Sequence, residues 1–188
     1  MRSSSASHEP LEWEATAKLS GLPVCPTLHG RGGEEAEALE EAGIPFDVVP
    51  GVTAMTAVPA YAGIPLTHRK LSSFFAVVTG HDCAKDRPGV DWAGIVTAVD
   101  TLLVLMAGRT LPRIARELIA HGRSADTPVA MIHSGTTEAQ ATITPSLGDV
   151  ADGIELEAPV VAVIGDVVAL RERLDWFDAA RLQAALTV

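Results

Sequence analysis

Three glycine-containing turns are the places where a ligand could most easily approach the backbone. They lie at residues 50–54 (PGVTA), 106–108 (MAG) and 134–137 (SGTT), and each follows a predicted strand. In open α/β sheets, ligands bind at such strand ends because free amides and short side chains converge there. The glycines and short polar residues of each turn alone are explained by the needs of a tight turn. The three turns together support the hypothesis of a shared ligand crevice.

Two local concentrations of positive charge are candidates for binding an anionic ligand. Arg31 stands in the glycine-rich segment 30–33 (GRGG), and residues 68–70 are His-Arg-Lys. The whole chain has 14 Lys and Arg against 24 Asp and Glu, a formal net charge of −10. A general nucleic-acid or anionic-membrane surface is therefore not expected, because phosphate binding needs a basic field. An anionic small molecule would instead be recognised by individually placed cations.

Other common catalytic signatures do not occur in the sequence. Residues 30–33 are not a phosphate-binding loop because no Gly-Lys-Ser/Thr follows, and no Gly-x-Ser-x-Gly segment indicates a serine hydrolase. The histidines lack metal-ligand spacing, so no metal site is predicted. Cys25 and Cys83 form no paired motif, which favours free thiols in a reducing, cytoplasmic compartment. With no apolar stretch of about 18 residues and no secretory signal, a membrane partner is not expected.

The hydrophobic pattern predicts an α/β fold in which helices flank a mixed β-sheet. The composition, with 47% hydrophobic and 20% charged residues, is typical of a globular domain. The short step from a buried strand at 128–132 to a half-exposed strand at 140–144 indicates a hairpin, so the sheet is not purely parallel. The other predicted strands are 46–49, 73–78, 101–106 and 159–164. The predicted helices are 33–42, 53–63, a short one from Asp91, one through 111–119 and one over 167–176, with a mobile loop at 83–90.

Six segments together resemble the tetrapyrrole methylase family, and within it the enzymes that methylate uroporphyrinogen III. The resemblance runs from about Gly30 to Phe177, and the order and spacing of the second segment are highly specific. The segments are GRGGEEAEAL (30–39), VVPGVTAMTAVPAYAGIPLTHR (48–69), VVTGH (77–81), TLLVLM (101–106), AHGRSADTPVAMIHSGTTEAQ (120–140) and GDVVALRERLDWF (165–177).

The resemblance implies a fold of two α/β domains with S-adenosylmethionine held in the cleft between them. Residues 30–188 would be the carboxyl-terminal domain of an incomplete enzyme, and residues 1–29 a segment with no family counterpart. The amino-terminal domain and the family's Gly-Gly-Asp-Pro-Phe segment are missing, since residues 23–29 are PVCPTLH. The implied activity is C-methylation of uroporphyrinogen III to precorrin-2, on the route to sirohaem and cobalamin, with S-adenosylhomocysteine as the by-product. The implied assembly is a homodimer.

The resemblance also implies which residues bind the cofactor. Thr53, Ala54, Met106 and Gly135 match family positions that contact S-adenosylmethionine. A threonine at a helix start offers hydroxyl and amide donors, and a small alanine beside it leaves room for a planar group. A methionine thioether fits beside a sulfonium without competing for hydrogen bonds.

A second set of residues matches positions that contact the tetrapyrrole. Arg31, Glu34 and Arg69 belong to it, and Met106 lies near substrate as well as cofactor. The substrate carries many carboxylates, for which guanidinium groups are the expected partners. Arg31 is also the family's candidate for the proton transfer that follows methylation. A guanidinium with a pKa above about 12 is a poor base, so clamping of the substrate is its first expected role.

The sequence leaves two alternatives open. The chain could belong to another precorrin methyltransferase of the cobalamin route. It could also be a non-catalytic remnant that acts as a binding or dimerisation module.

Overall fold

The computed structural model describes residues 31–80 and 90–177, which divide between two compact units, one ending at Gly51 and one beginning at Val52. In the first unit, helix α1 spans Gly32–Glu41. Glu34 and Glu35 lie in its first turn, where negative charge is stabilised by the helix dipole. Gly43, with φ of 67°, follows the helix end. The predicted helix at 33–42 is confirmed.

The prediction of a strand at residues 46–49 is wrong. These residues have no strand assignment, and none of the strands among the described residues pairs with them. Phe46, Val48 and Val49 remain exposed, Val49 to 73%. Alternating apolar residues favour an extended backbone, but a strand forms only where a neighbouring strand satisfies its hydrogen-bonding groups.

The second unit is built on a five-stranded mixed sheet with the order β1-β2-β5-β3-β4. β1 and β2 are parallel, β5 runs antiparallel to both β2 and β3, and β4 runs antiparallel to β3. The mixed sheet and its hairpin are therefore confirmed. The strands are Phe75–Thr79 (β1), Thr101–Leu105 (β2), Val129–His133 (β3), Ala141–Ile143 (β4) and Val160–Ile164 (β5).

This topology gives the sheet two edges of different composition. Because β5 is antiparallel to both of its neighbours, β1, β2 and β3 all point in the same direction. We call the edge where these three strands end the carboxyl edge; it carries Gly80, Met106 and residues 134–136. We call the opposite edge the amino edge; it carries Ser72, Asp100 and the residues that flank them.

Within the described part of the second unit, five helices accompany the sheet, and the longest, α4, supplies the main packing face. Its residues Leu111, Ile114, Ala115 and Leu118 are buried against the strands, as the spacing predicts. Each of the buried leucine and isoleucine side chains contributes about 1.5–3 kcal/mol on burial. The helices are Ala54–Tyr61 (α2), Trp92–Ala98 (α3), Leu111–Ala120 (α4), Leu147–Ala151 (α5) and Arg171–Leu174 (α6).

Helix α5 was not among the predicted elements, although the sequence carries its signal. The Ser146 side chain accepts from the Asp149 amide while the Asp149 side chain accepts from the Ser146 amide, which is a complete capping box. The pattern Ser-x-x-Asp is the signature of such a start. The helix has only five residues, so its hydrophobic periodicity is too short to be recognised.

The last helix is shorter than predicted. The expected helix over 167–176 is a 3-10 turn at Asp166–Leu170 followed by α6, and the backbone of Asp175 is extended. Arg171 closes the helix end by donating to Asp175 Oδ1 at 3.0 Å. The Trp176 indole donates to the Ala60 carbonyl at 2.9 Å, which draws the chain away from the helix axis.

The remaining expectations about secondary structure have simple outcomes. The strands at 73–78, 101–106 and 159–164 and the helices from Thr53 and Asp91 are confirmed within a residue or two. The loop predicted at 83–90 lies outside the described residues, except for Val90. Within the described ranges, no helix has the length and apolar character needed to cross a membrane.

Candidate functional site

The turns of the carboxyl edge are joined to one another by backbone hydrogen bonds. The Gly80 amide donates to the Leu105 carbonyl at 2.7 Å, the Ala107 amide to Val160 at 3.1 Å, and the Ser134 amide to Pro159 at 3.1 Å. β5 lies between β2 and β3, and neighbouring strands are about 4.8 Å apart. Met106 and Ser134 therefore stand about 10 Å apart across the start of β5.

The backbone of this edge is strained at three residues. Met106 (φ 53°), Ser134 (φ 45°) and Thr136 (φ 71°) are the only non-glycine residues with positive φ in the part of the chain that the structure describes. Such conformations cost on the order of 1–3 kcal/mol each, and they concentrate at binding and catalytic sites. These three residues all lie in two of the glycine-containing turns noted in the sequence, 106–108 and 134–137.

Side-chain hydrogen bonds hold the strained turn that follows β3. The Thr136 amide donates to Gln140 Oε1 at 2.7 Å, and the Thr137 hydroxyl donates to the Ser134 carbonyl at 2.7 Å. Gln140 Nε2 in turn donates to the Tyr61 carbonyl at 3.2 Å. Gln140 thus ties the turn to the end of α2. Sequence reasoning missed this residue, because nothing in its spacing indicates the partner 79 positions away.

Gly135 allows α2 to pack directly on this turn. A Cβ at this position would lie 2.5 Å from Val58 Cγ1 and 2.8 Å from Cγ2, far inside contact distance. Val58 is five residues after Thr53 along α2, or about 7.5 Å at the helical rise. The structure therefore brings Thr53 and Ala54 to within about one and a half helical turns of the contact at Gly135.

Thr53 starts α2 as the sequence predicts. Its extended backbone and its side chain, which accepts from the Met55 amide at 3.4 Å, make it the N-cap. Thr53 and Ala54 are both half-buried. The N-cap bond uses one lone pair of the hydroxyl, so its hydrogen stays available for donation.

Met106 presents its side chain at the surface of the carboxyl edge, where it is 49% exposed. Gly80, which sequence reasoning did not single out, makes its position possible. A Cβ on Gly80 would lie 2.6 Å from both the Met106 carbonyl and the Thr110 hydroxyl. Only glycine lets the end of β1 approach the turn after β2 this closely.

Arg31 and Glu34 form an exposed ion pair in the first unit. Arg31 Nε donates to Glu34 Oε2 at 2.7 Å, and the two side chains are 83% and 66% exposed. This hydrogen bond, with the negative charge of Glu34, raises the pKa of Arg31 above its ordinary value. A higher pKa makes the guanidinium a still poorer proton acceptor and leaves its role as a cation intact.

Arg69 does not lie beside the other predicted site residues of the second unit. It is exposed in a tight turn that the His68 amide closes by donating to the Ser72 carbonyl at 2.8 Å. The Thr101 hydroxyl donates to Ser72 Oγ at 2.8 Å, which fixes this turn at the amino edge. The length of a strand, about 16 Å for five residues, separates that anchor from Met106.

Two cavities lie elsewhere in the second unit, and neither is lined by Thr53, Met106 or Gly135. The larger, of about 730 Å³, is bordered by α2, residues 63–67 and the segment around Trp176. The smaller, of about 280 Å³, lies at the amino edge around Asp100 and Arg123. Among the described residues, no group of three or more His, Cys, Asp or Glu side chains is close enough to hold a metal ion.

Comparison with known proteins decides the family. A family model for tetrapyrrole (corrin/porphyrin) methylases matches residues 26–151. The chain belongs to this family. The matched range contains both strained turns and the whole of α2, so the geometry described above is that of a tetrapyrrole methylase.

Curated relatives share almost half of their aligned residues with this chain. A siroheme synthase 2 of Aeromonas hydrophila is 46% identical over 159 residues, which is 84% of this chain and 34% of that protein. A uroporphyrinogen-III C-methyltransferase of Priestia megaterium is 44% identical over 146 residues, which is 76% of this chain and 61% of that protein. The chain thus spans only part of the length of these relatives.

Solved structures agree with this fold. A uroporphyrin-III C-methyl transferase from Thermus thermophilus, solved with S-adenyl homocysteine, has a TM-score of 0.69 and 34% identity; the match covers 78% of this chain and 64% of that one. A cobalt precorrin-4 methyltransferase has a TM-score of 0.66 at 22% identity and shows the fold alone.

The residues of the carboxyl edge fit an adenosyl group bonded to sulfur. The exposed Met106 thioether offers an apolar, polarisable surface without a competing charge. The turn at 134–136 and the start of α2 offer small side chains, hydroxyls and amides, and α2 packs on that turn through Val58. Close packing of Val58 against Gly135 leaves no room for a side chain at this position.

Proposed function

We propose that this chain supplies the cofactor-binding part of an S-adenosylmethionine-dependent C-methyltransferase that converts uroporphyrinogen III to precorrin-2. One observation carries the proposal: the topology brings the strained turns at Met106 and 134–136 to one edge of the sheet, and α2 packs on the second of them with Thr53 close by. The names of the relatives and of the solved structure with S-adenyl homocysteine support the choice of reaction and cofactor.

The proposed role of the chain's residues is mainly alignment. S-adenosylmethionine, when bound, supplies a methyl group already activated on a sulfonium. Thr53 and the Gly135 backbone would hold the nucleoside, and Met106 would border the sulfur on its apolar side. Good alignment of two reacting groups is worth roughly 7–11 kcal/mol, so rigid turns are an advantage here. The backbone bonds between the strand ends and the Gln140 bridge supply that rigidity.

Arg31 and Arg69 are the proposed cations for the carboxylates of the tetrapyrrole. A protein with a formal charge of −10 attracts such a substrate only through placed guanidinium groups. Glu34 would orient Arg31 through the bond at 2.7 Å. Because that bond raises the pKa of Arg31, we assign Arg31 to anion binding before proton transfer.

The rest of the enzyme is also a matter of proposal. We also propose the homodimer implied by the resemblance, the cytoplasmic location favoured by the cysteine pattern, and the domain division at residue 30. The Aeromonas and Priestia relatives extend well beyond the matched region, so their remaining length would provide the other wall of the cofactor site.

Two measurements test the proposal. First, calorimetry with the full chain should detect binding of S-adenosylhomocysteine, and Met106→Ala should weaken it about tenfold through lost apolar contact. His121→Ala is the matched control, because His121 lies at the far end of α4. Intact folding with no binding would contradict the proposal and support the non-catalytic module.

Second, transfer of a labelled methyl group to uroporphyrinogen III should appear when the amino-terminal portion of the Priestia megaterium enzyme is added to the chain. Transfer to later precorrins alone would contradict the assigned substrate and support another precorrin methyltransferase. No transfer to any tetrapyrrole, with S-adenosylhomocysteine still bound, would limit the chain to cofactor binding.

A further inference from the structure

His133 and Ser134 form a hydrogen-bonded pair at the end of β3 that neither the resemblance nor the proposed function uses. Ser134 Oγ lies 2.9 Å from His133 Nε2, and His133 Nδ1 lies 2.6 Å from the Glu157 carbonyl oxygen. Both side chains are half-buried. The sequence shows this pair only as a histidine without metal-ligand spacing next to a turn serine.

The partners of His133 fix which of its nitrogens carries the hydrogen. A carbonyl oxygen only accepts, so Nδ1 must donate to Glu157. In the neutral ring Nε2 then has a lone pair, and the Ser134 hydroxyl must donate to it. With its single hydrogen committed to His133, Ser134 Oγ presents only lone pairs to anything else that approaches the carboxyl edge.

The position of Ser134 Oγ is fixed by the backbone as well. The Ser134 amide donates to Pro159, and its carbonyl accepts from the Thr137 hydroxyl at 2.7 Å. Its φ of 45° is a conformation that an isolated serine seldom adopts. Ser134 also directly precedes Gly135, the predicted contact of the nucleoside.

We propose that Ser134 Oγ accepts a hydrogen bond from a donor group of the bound nucleoside, and that His133 is the positioning residue that keeps this oxygen acceptor-only. This inference rests on the proposed function. The ligand chemistry is a hydroxyl or amino donor on a purine nucleoside, which means either a ribose hydroxyl or the adenine amino group.

A ligand-free measurement tests the hydrogen-bond pattern first. Long-range proton–nitrogen NMR spectra of the imidazole side chains distinguish a ring protonated at Nδ1 from one protonated at Nε2. The neutral His133 ring should be protonated at Nδ1, which is the less common form in free histidine. Protonation at Nε2 would overturn the inference, whatever the chain binds.

Calorimetry with S-adenosylhomocysteine tests the contact itself. Ser134→Ala and His133→Ala should each weaken binding about tenfold, and the double variant should lose no more than either single one, because both act through one oxygen. His133→Gln, whose amide oxygen can accept from Ser134, should recover part of the affinity. His121→Ala is the control, since His121 Nδ1 also contacts a backbone carbonyl, that of Glu117 at 2.7 Å, but away from the edge.

Analogues of the ligand identify the donor group with the protein unchanged. S-inosylhomocysteine lacks the amino group, and the 2′-deoxy and 3′-deoxy forms of S-adenosylhomocysteine each lack one hydroxyl. The analogue that lacks this donor should bind the unchanged chain about tenfold more weakly than S-adenosylhomocysteine does. The Ser134→Ala variant should bind the analogue and S-adenosylhomocysteine equally. If Ser134→Ala binds S-adenosylhomocysteine as tightly as the unchanged chain does, the proposed contact is wrong. If the unchanged chain does not bind at all, the proposed function fails and the contact with it.

Discussion

At the amino edge of the sheet the polar groups bond to one another, whereas at the carboxyl edge they support a strained backbone. Asp100 at the amino edge accepts from the amides of Ser73 and Phe74 at 2.8 and 3.1 Å. Arg123 donates to the Val99 carbonyl at 2.8 Å. At the carboxyl edge, Gln140 and Thr137 instead brace a turn with two residues at positive φ.

The difference separates two uses of the same sheet. Bonds such as those of Asp100 stabilise the connections between strands and helices. Strained turns lower stability, and they persist only where the surroundings hold them. We therefore expect changes to Asp100 and Arg123 at the amino edge to alter unfolding alone, and changes at the carboxyl edge to alter binding of S-adenosylhomocysteine.

Gly135→Ala should have the largest effect, because it disturbs both stability and binding. The new Cβ collides with Val58, and overpacking of this kind costs about 1–3 kcal/mol. Separation of α2 from the turn should also abolish S-adenosylhomocysteine binding. Urea unfolding and calorimetry measure the two effects.

Val58→Ala in the same chain is the matched control for that collision. It removes the two closest contacts and leaves the one to Val58 Cβ at 3.0 Å, so the double variant should recover part of the stability lost in Gly135→Ala. If Val58→Ala brings no recovery, the packing account of Gly135 is wrong.

Arg123→Ala should be the strongest test of the amino edge. Burial lowers the pKa of Arg123, and its loss leaves the Val99 carbonyl without this charged donor. Hydrogen bonds to charged groups contribute about 1.5–3 kcal/mol, so urea unfolding should show a loss of about that size. S-adenosylhomocysteine affinity should stay unchanged. A loss of affinity equal to that of Met106→Ala would remove the distinction between the edges.

Met106→Gly should separate stability from binding at the carboxyl edge. Glycine adopts the φ of 53° without the steric cost, which should raise the free energy of unfolding by about 1 kcal/mol. The thioether is lost at the same time, so S-adenosylhomocysteine affinity should fall. Met106→Ala, which removes the thioether but keeps the strain, should lose affinity without gaining stability. Equal unfolding of the two variants would argue against strain at Met106.

Asp100 should give the smallest effect, seen as a change in how stability depends on pH. The amides of Phe74 and Ser73 hold the pKa of this carboxyl below its usual value of 3.8. The stability it brings is therefore present above the pKa of the unfolded chain and is lost as the pH falls through the lowered folded value. Asp100→Asn should flatten the acid limb of a plot of unfolding free energy against pH, with no change in binding. An unchanged acid limb would contradict the role given to these two amides.

Sequence reasoning predicted the sheet of the second unit well, because its elements have strong local signals. The spacing of Leu111, Ile114 and Leu118 identified α4, and the buried run 101–106 identified β2. The prediction of a strand at 46–49 failed for a non-local reason, because a strand needs a neighbouring strand that the segment itself does not specify. Helix α5 was missed although Ser146 and Asp149 carry its signature.

The candidate site could be predicted only in part. The turns at 106–108 and 134–137 were recognised by their glycines and their place after strands, and the topology confirms that they share one edge. Gln140, Gly80 and the His133–Ser134 pair could not be found, because their partners Tyr61, Met106 and Glu157 are brought near only by the fold. Arg69 matched the family's motif, yet its own turn places it at the other edge.

NMR titration of the full chain with S-adenosylhomocysteine is the most direct test of the claim that Thr53, Met106 and Gly135 serve one ligand. The Met106 methyl signal and the amide signals of Thr53 and Gly135 should shift together and saturate at one ligand concentration, while the Arg123 and Asp100 signals stay in place. Shifts confined to the amino edge, or different saturation points for the three residues, would contradict a shared cofactor site at the carboxyl edge.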